Sequence, residues 1–170
     1  MNRSYRYALP LFFAFTLAGC NRGKDPSSPT PAAISSSAQV VKVAGANVSI
    51  SQSTPVDAVV TLSISPGFHV NANPATFPYL IATELTADKL EGIAVGSPGY
   101  PAAQKKKFQF AEEPLSVYEG EIPIKLNLRA EANATTGTRA LPVKVRVQAC
   151  DEEQCFPPAT INATIRVTVK

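Results

Sequence analysis

The sequence predicts an all-β chain folded as an antiparallel β-sandwich, and three observations carry that prediction. Apolar residues recur with a period of two along several stretches. Clusters of Gly, Pro, Ser and Asn separate those stretches. The 15 prolines and the absence of tryptophan argue against a helical bundle, because proline ends helices and settles at strand edges and turns.

From Val40 onward the elements follow in order. Val56, Ala58, Val60, Leu62 and Ile64 share one parity, with Thr61 and Ser63 on the other. Ile122, Ile124, Leu126 and Leu128 repeat the pattern against Lys125 and Asn127. Val143, Val145 and Val147 alternate with Lys144 and Arg146, and Ile161, Ala163, Ile165, Val167 and Val169 with Thr164, Arg166 and Thr168. This is how half-buried strands are written. Turns fall at Ser65-Pro66-Gly67, Ser97-Pro98-Gly99, Thr136-Gly137 and Phe156-Pro157-Pro158, while Ala87 to Leu90 is at most a turn. About eight or nine short strands without an amphipathic helix suit a sandwich of immunoglobulin type. Val143, Val145, Val147, Ile161, Ile165 and Val167 should point into its core, on two strands that flank the Cys150–Cys155 loop as a hairpin.

The 170 residues admit one ordinary domain and a leader. Arg3 and Arg6 form a positive start, and Tyr7 to Ala18 is an uncharged apolar run too short to span a bilayer at roughly 1.5 Å per residue. It ends in Leu17-Ala18-Gly19-Cys20, which resembles the lipobox of bacterial lipoproteins, where the Cys thiol takes a diacylglycerol before cleavage. Residues 1–19 are therefore expected to be a signal peptide, Cys20 the lipidation site, 20–39 a Pro- and Ser-rich tether, and 40–170 the folded domain. The expected location is the periplasmic side of a bacterial membrane, with Asn21 leaning toward the outer one. Without Arg3 and Arg6 the 16 basic residues nearly balance the 13 acidic ones, so no nucleic acid is expected as a partner. The only basic run, Lys105-Lys106-Lys107, reads as a solvated loop.

With Cys20 lipidated, Cys150 and Cys155 remain, separated by Asp151-Glu152-Glu153-Gln154. Four intervening residues can bring the Cα atoms close enough for a disulfide, which outside the cytoplasm should be oxidised at rest. So short a loop gains only about 2 kcal/mol from cross-linking. Spacing alone leaves two readings open, a structural staple and an exchangeable bond. Carboxylates at Asp151, Glu152 and Glu153 would disfavour a thiolate beside them and raise the thiol pKa values.

The surrounding residues add a likeness. Val145 to Pro158, with Gln148-Ala149-Cys150 and Cys155-Phe156-Pro157-Pro158 at its ends, resembles the active-site hairpin of the N-terminal periplasmic domain of thiol:disulfide interchange protein DsbD. Pro66 to Asn71, Tyr100-Pro101 with the Lys-rich stretch after it, and Pro114 to Glu121 are also similar to that family. The resemblance implies an immunoglobulin-like fold with one redox-active pair, Cys150 and Cys155, and a mixed disulfide formed through one of the two; the sequence leaves both open, and the family pattern leans to Cys155. It implies no cofactor, and partners of thioredoxin fold in the periplasm. The family's aromatic cap over the Cys pair falls in Tyr100 to Phe110, where Phe108 or Phe110 would supply it, with His69 and Phe156 as site support. The chain carries no transmembrane electron carrier and no thioredoxin-like domain, so a separate membrane protein is the expected electron donor.

Other chemistries lack residues. His69 is the single histidine, so neither a Ser-His-Asp triad nor a multi-His metal site is expected, and zinc would need a borrowed fourth ligand. Phe68, Phe77 and Tyr79 read as core or rim aromatics. No phosphate loop is present, and no small-molecule substrate is expected. Two functions survive: a lipid-anchored exchange module, and a non-catalytic adaptor sandwich whose Cys pair is a staple.

Overall fold

The computed structural model describes residues 33–52 and 54–170. The expected signal peptide, Cys20 and the tether up to residue 32 lie outside the described residues. A 3-10 turn over Ser37–Gln39 leads into β1 (Val41–Gly45), β2 (Val48–Ile50) and β3 (Val56–Ile64). Then come β4 (His69–Asn71), β5 (Glu84–Ala87), β6 (Ile93–Gly99), β7 (Gln104–Lys106) and β8 (Leu115–Tyr118). The chain closes with β9 (Glu121–Ala130), β10 (Gly137–Val147), β11 (Ala149–Cys150) and β12 (Ala159–Val169).

Two four-stranded sheets, ordered β1-β3-β9-β6 and β2-β12-β10-β5, form the immunoglobulin-like sandwich. Every strand pair in them is antiparallel except β2 with β12, which runs parallel from Val48 beside Val167 to Ile50 beside Val169. Strand β9 alternates without a break, with Ile122, Ile124, Leu126, Leu128 and Ala130 buried and the residues between them exposed. Successive side chains leave a strand on opposite faces, so this alternation aims one face of the sheet inward. Those residues share one core with Val60 and Leu62 of β3, Leu141, Val143 and Val145 of β10, and Ile165 and Val167 of β12. The expected register of the β10–β12 hairpin holds: Val143, Val145, Val147, Ile165 and Val167 are buried, and Ile161 is half-buried against the same core.

A third small sheet, ordered β11-β4-β8-β7, has no alternation for sequence to display. All three residues of β4 and both residues of β11 are buried, because both faces of these segments are covered. It adds strands beyond the eight or nine expected. It also takes Lys105 and Lys106 into β7, where they pair with Ser116 and Leu115 of β8, correcting the expectation of a solvated loop.

The tether is corrected at its end as well. Ser36 caps the 3-10 turn, with its Oγ accepting from the Ala38 N–H while the Gln39 side chain accepts from the Ser36 N–H. This reciprocal pairing is a capping box. Ser37 is fully buried, so the folded body begins before residue 40.

Candidate functional site

The site grows out of the β10–β12 hairpin. Those strands pair along their full length, up to Val147 opposite Ala159. Beyond Val147 the outgoing chain leaves its sheet at Gln148 and joins the small sheet as β11, where Ala149 lies opposite Val70 and Cys150 opposite His69. The returning arm holds one residue more, at Phe156-Pro157-Pro158, and its two prolines have no N–H to offer a ladder. Three contacts join the arms instead. The Phe156 N–H donates to the Ala149 carbonyl at 2.8 Å. Gln148 Nε2 donates to the Phe156 carbonyl at 3.3 Å. Cys150 and Cys155 are bridged by a disulfide with Cα atoms 3.9 Å apart.

Asp151 builds the turn between the cysteines. Its Oδ1 accepts the N–H groups of Glu153 at 2.9 Å and Gln154 at 2.8 Å, and its own N–H donates to the Gln154 carbonyl at 2.9 Å. Such an Asx turn uses the carboxylate as a local acceptor. Glu152 is engaged too: its Oε1 lies 3.0 Å from Lys106 Nζ, which also reaches Glu119 Oε1 at 2.7 Å. Glu119 is placed by the tight turn into β9, where Gly120 has φ +71°, a left-handed conformation that favours glycine. Of the three acids, only Glu153 has no side-chain partner among the described residues. The negative charge expected beside the cysteines is thus partly compensated by Lys106. These hydrogen bonds, Glu119 first and then Glu152, push the Lys106 pKa up. Pairs this exposed contribute only about 0–1 kcal/mol, so Lys106 positions the Cys loop more than it stabilises the fold.

The two cysteines differ in access. Cys150 is 1% exposed, whereas Cys155 is among the exposed residues of the loop. On the same small sheet, the His69 ring is buried and stacks on Phe108 at 4.1 Å between centroids. Phe108 is fully buried with Leu115 and Val117, carries the Lys106 ammonium 5.4 Å from its centroid, and stacks on the partly exposed Phe110 at 5.2 Å. The segment expected to supply an aromatic cap therefore brings Phe108 onto His69, the residue opposite Cys150, with Phe110 stacked on Phe108. Phe156 is buried against Phe68 at 5.8 Å, under the returning arm. Phe77 packs on the Phe108 cluster, and the exposed Tyr79 stacks on Phe77 at 5.3 Å as a rim residue.

Sequence reasoning missed Ser37. Its N–H and Oγ both donate to the Pro157 carbonyl, at 3.0 and 2.8 Å, and the same Oγ accepts the Ala149 N–H at 2.9 Å. One buried hydroxyl thus bolts both arms of the Cys hairpin to the start of the domain. The signal was present in Ser36-Ser37-Ala38-Gln39, a capping-box pattern just before the apolar Val40-Val41. Ser37→Ala leaves the buried Ala149 N–H without an acceptor and is expected to cost about 1–3 kcal/mol. Urea titration of the variant against the parent measures it.

Burial lowers the His69 pKa below 6.5, the Lys106 ammonium lowers it further, and Glu119, Glu152 and Asp151 oppose the shift. The unfolded chain therefore binds the proton more tightly than the folded one. The contribution of neutral His69 is fully present above the unfolded pKa near 6.5 and is lost as pH falls toward the folded value. Urea midpoints should fall more steeply below about pH 6.5 in the parent than in His69→Phe, which has no imidazole to titrate.

A search of curated proteins gives no match. Among solved structures the chain is similar to the reduced N-terminal domain of DsbD from Neisseria meningitidis, at 18% identity over 66% of this chain and 78% of that one, with a TM-score of 0.45. It is also similar to the N-terminal periplasmic domain of ScsB from Proteus mirabilis, at 14% identity over 72% of this chain but only 44% of that one, with a TM-score of 0.43. A cohesin–dockerin complex from Clostridium thermocellum gives 11% identity over 77% and 95% of the two chains, with a TM-score of 0.41. The family model of the N-terminal part of thiol:disulfide interchange protein DsbD matches residues 37–166, from the Ser37 bolt through the Cys hairpin into the last strand, and the chain belongs to that family.

Proposed function

We propose that the domain is a periplasmic thiol:disulfide exchange module, passing electrons between thioredoxin-fold proteins through Cys150 and Cys155. The observation that carries this reading is the unequal access of the bridged pair, with Cys155 exposed and Cys150 buried. Exchange requires a thiolate to reach one sulfur while the other leaves. A partner thiolate arriving from solvent attacks Cys155, the S–S bond breaks, and Cys150 departs as the thiolate. The partner's second thiol then attacks its own sulfur in the mixed disulfide and frees Cys155. Two electrons and two protons have entered the domain, and one disulfide has passed to the partner. The same steps in reverse deliver them to an oxidised protein.

The Leu17-Ala18-Gly19-Cys20 leader supports a lipid anchor at Cys20, and a separate membrane protein as electron donor completes the reading. The test uses the oxidised protein and a reduced thioredoxin-like protein, followed by thiol alkylation. The disulfide is expected to be reduced under native conditions, and Cys150→Ala, mixed instead with the oxidised thioredoxin-like protein, to accumulate a mixed disulfide as the Cys155 thiolate opens the partner's disulfide. A bond that yields only after the domain unfolds would instead make it a staple in an adaptor domain.

A further inference from the structure

Cys150 lies in the middle of a row. His69 on β4 stands opposite it on one side, and Cys155 stands opposite it on the other. Residues directly opposite across antiparallel strands put their side chains on one face, with Cβ atoms about 4.5–5.5 Å apart. The imidazole and the disulfide thus share a face of the small sheet. His69 is 1% exposed and its ring is fixed by the Phe108 stack. Its Nε2 is buried without a hydrogen-bond partner, and among the described residues it is the only side-chain nitrogen or oxygen in that state. Buried polar atoms are almost always paired, so an orphan asks for a cause. The oxidised disulfide supplies one, because the Cys150 sulfur in it carries no hydrogen. Reduction converts that sulfur into an S–H donor on the same face.

We propose that His69 is the proton acceptor for the Cys150 thiol when the reduced domain passes its electrons on. The role rests on the exchange reading above. In the first step the Cys155 thiolate attacks the partner disulfide, forming a mixed disulfide and releasing one partner thiolate. In the second, Cys150 must attack the Cys155 sulfur, and the thiolate is the nucleophile. Cys150 is only 1% exposed, so a base already beside it in the protein takes its proton more readily than solvent does. His69 Nε2 takes the proton, Cys150 bonds to Cys155, and the second partner sulfur leaves as a thiolate. The imidazolium then returns its proton to the medium, where the partner thiolates take up two. Two thiols and one partner disulfide have become one disulfide and two partner thiols. Burial and the Lys106 ammonium keep the resting imidazole neutral against the pull of Glu119, Glu152 and Asp151, so the base is available at neutral pH.

The test separates the two steps. Reduced full-length protein is mixed with the chromogenic disulfide dithiobis(nitrobenzoate), which releases one coloured thiolate when Cys155 attacks and a second when Cys150 closes the ring. In the parent the second phase should be nearly flat with pH above neutrality. His69→Phe keeps a ring against Phe108 and should leave the first phase within about twofold, while slowing the second at pH 7 by about tenfold or more. Its second phase should also climb about tenfold per pH unit, because Cys150 is left with its own ionisation. His69→Gln accepts a hydrogen bond but no proton, so it should behave the same way, and it stands in if His69→Phe does not fold. A second phase unchanged in rate and pH slope would overturn the proposal, as would both phases slowing together. If the parent's disulfide cannot be reduced without unfolding, the exchange reading fails, and this role with it.

Discussion

Phe108→Ala is expected to destabilise the domain by about 3–5 kcal/mol, the usual cost of emptying a buried phenylalanine site. Phe108 is 1% exposed and ties three things together. It packs on Leu115 and Val117 of β8, covers the His69 ring at 4.1 Å, and receives the Lys106 ammonium on its face. Removing it opens a hole between β8 and the residue opposite Cys150, so the loss should appear in chemistry as well as in stability. Small disulfides should oxidise the reduced variant faster than the parent, since the covered face becomes accessible. Phe110 is the control. It stacks on Phe108 but is 44% exposed, so Phe110→Ala should cost less than about 1 kcal/mol. Urea titrations of the two variants decide the matter: similar losses would mean that Phe108 does not hold the site.

The contrast between those rings shows what the sequence could and could not reveal. The long strands β3, β9, β10 and β12 of the two large sheets were legible because one face of each is wet, and a period of two then separates Ile124, Leu126 and Leu128 from Lys125 and Asn127. Ser97-Pro98-Gly99, expected as a turn, instead ends β6 beyond a bulge, paired with β9. The small sheet was not legible. His69, Val70 and Asn71 are all buried, so no parity exists to be read, and β11 is two residues long. A motif exposed this region, not a pattern: Cys150 and Cys155 with their flanking prolines marked the hairpin before its strands could be drawn. Motifs do not carry tertiary partners either. Nothing in Lys105-Lys106-Lys107 tells that the middle lysine bridges Glu119 and Glu152 while its neighbours do not. That depends on β7 pairing with β8, a contact between segments whose own alternation is too short to align them. Ser37 fell to a simpler cause, its place inside a stretch whose composition suits a tether although its last residues fold.

Replacing both Cys150 and Cys155 by Ala should abolish exchange completely and leave the domain folded. The hairpin has other supports. The Ala149–Phe156 hydrogen bond, the Asp151 turn and the Ser37 bolt all hold its arms without sulfur. Beneath them β10 and β12 remain paired from Gly137 opposite Val169 to Val147 opposite Ala159. A cross-link spanning a sequence separation of 5 closes a very short loop, for which the chain-entropy gain is about 2 kcal/mol. Against a domain stability of about 5–15 kcal/mol, that loss lowers a urea midpoint without unfolding the protein. The reduced parent should show a similar midpoint, because it lacks the same constraint. A bond meant to be opened and closed in every cycle must cost the fold little when open, and the supports around this pair are arranged so that it does. A double variant that cannot fold would assign the disulfide to structure, whatever its exposure suggests.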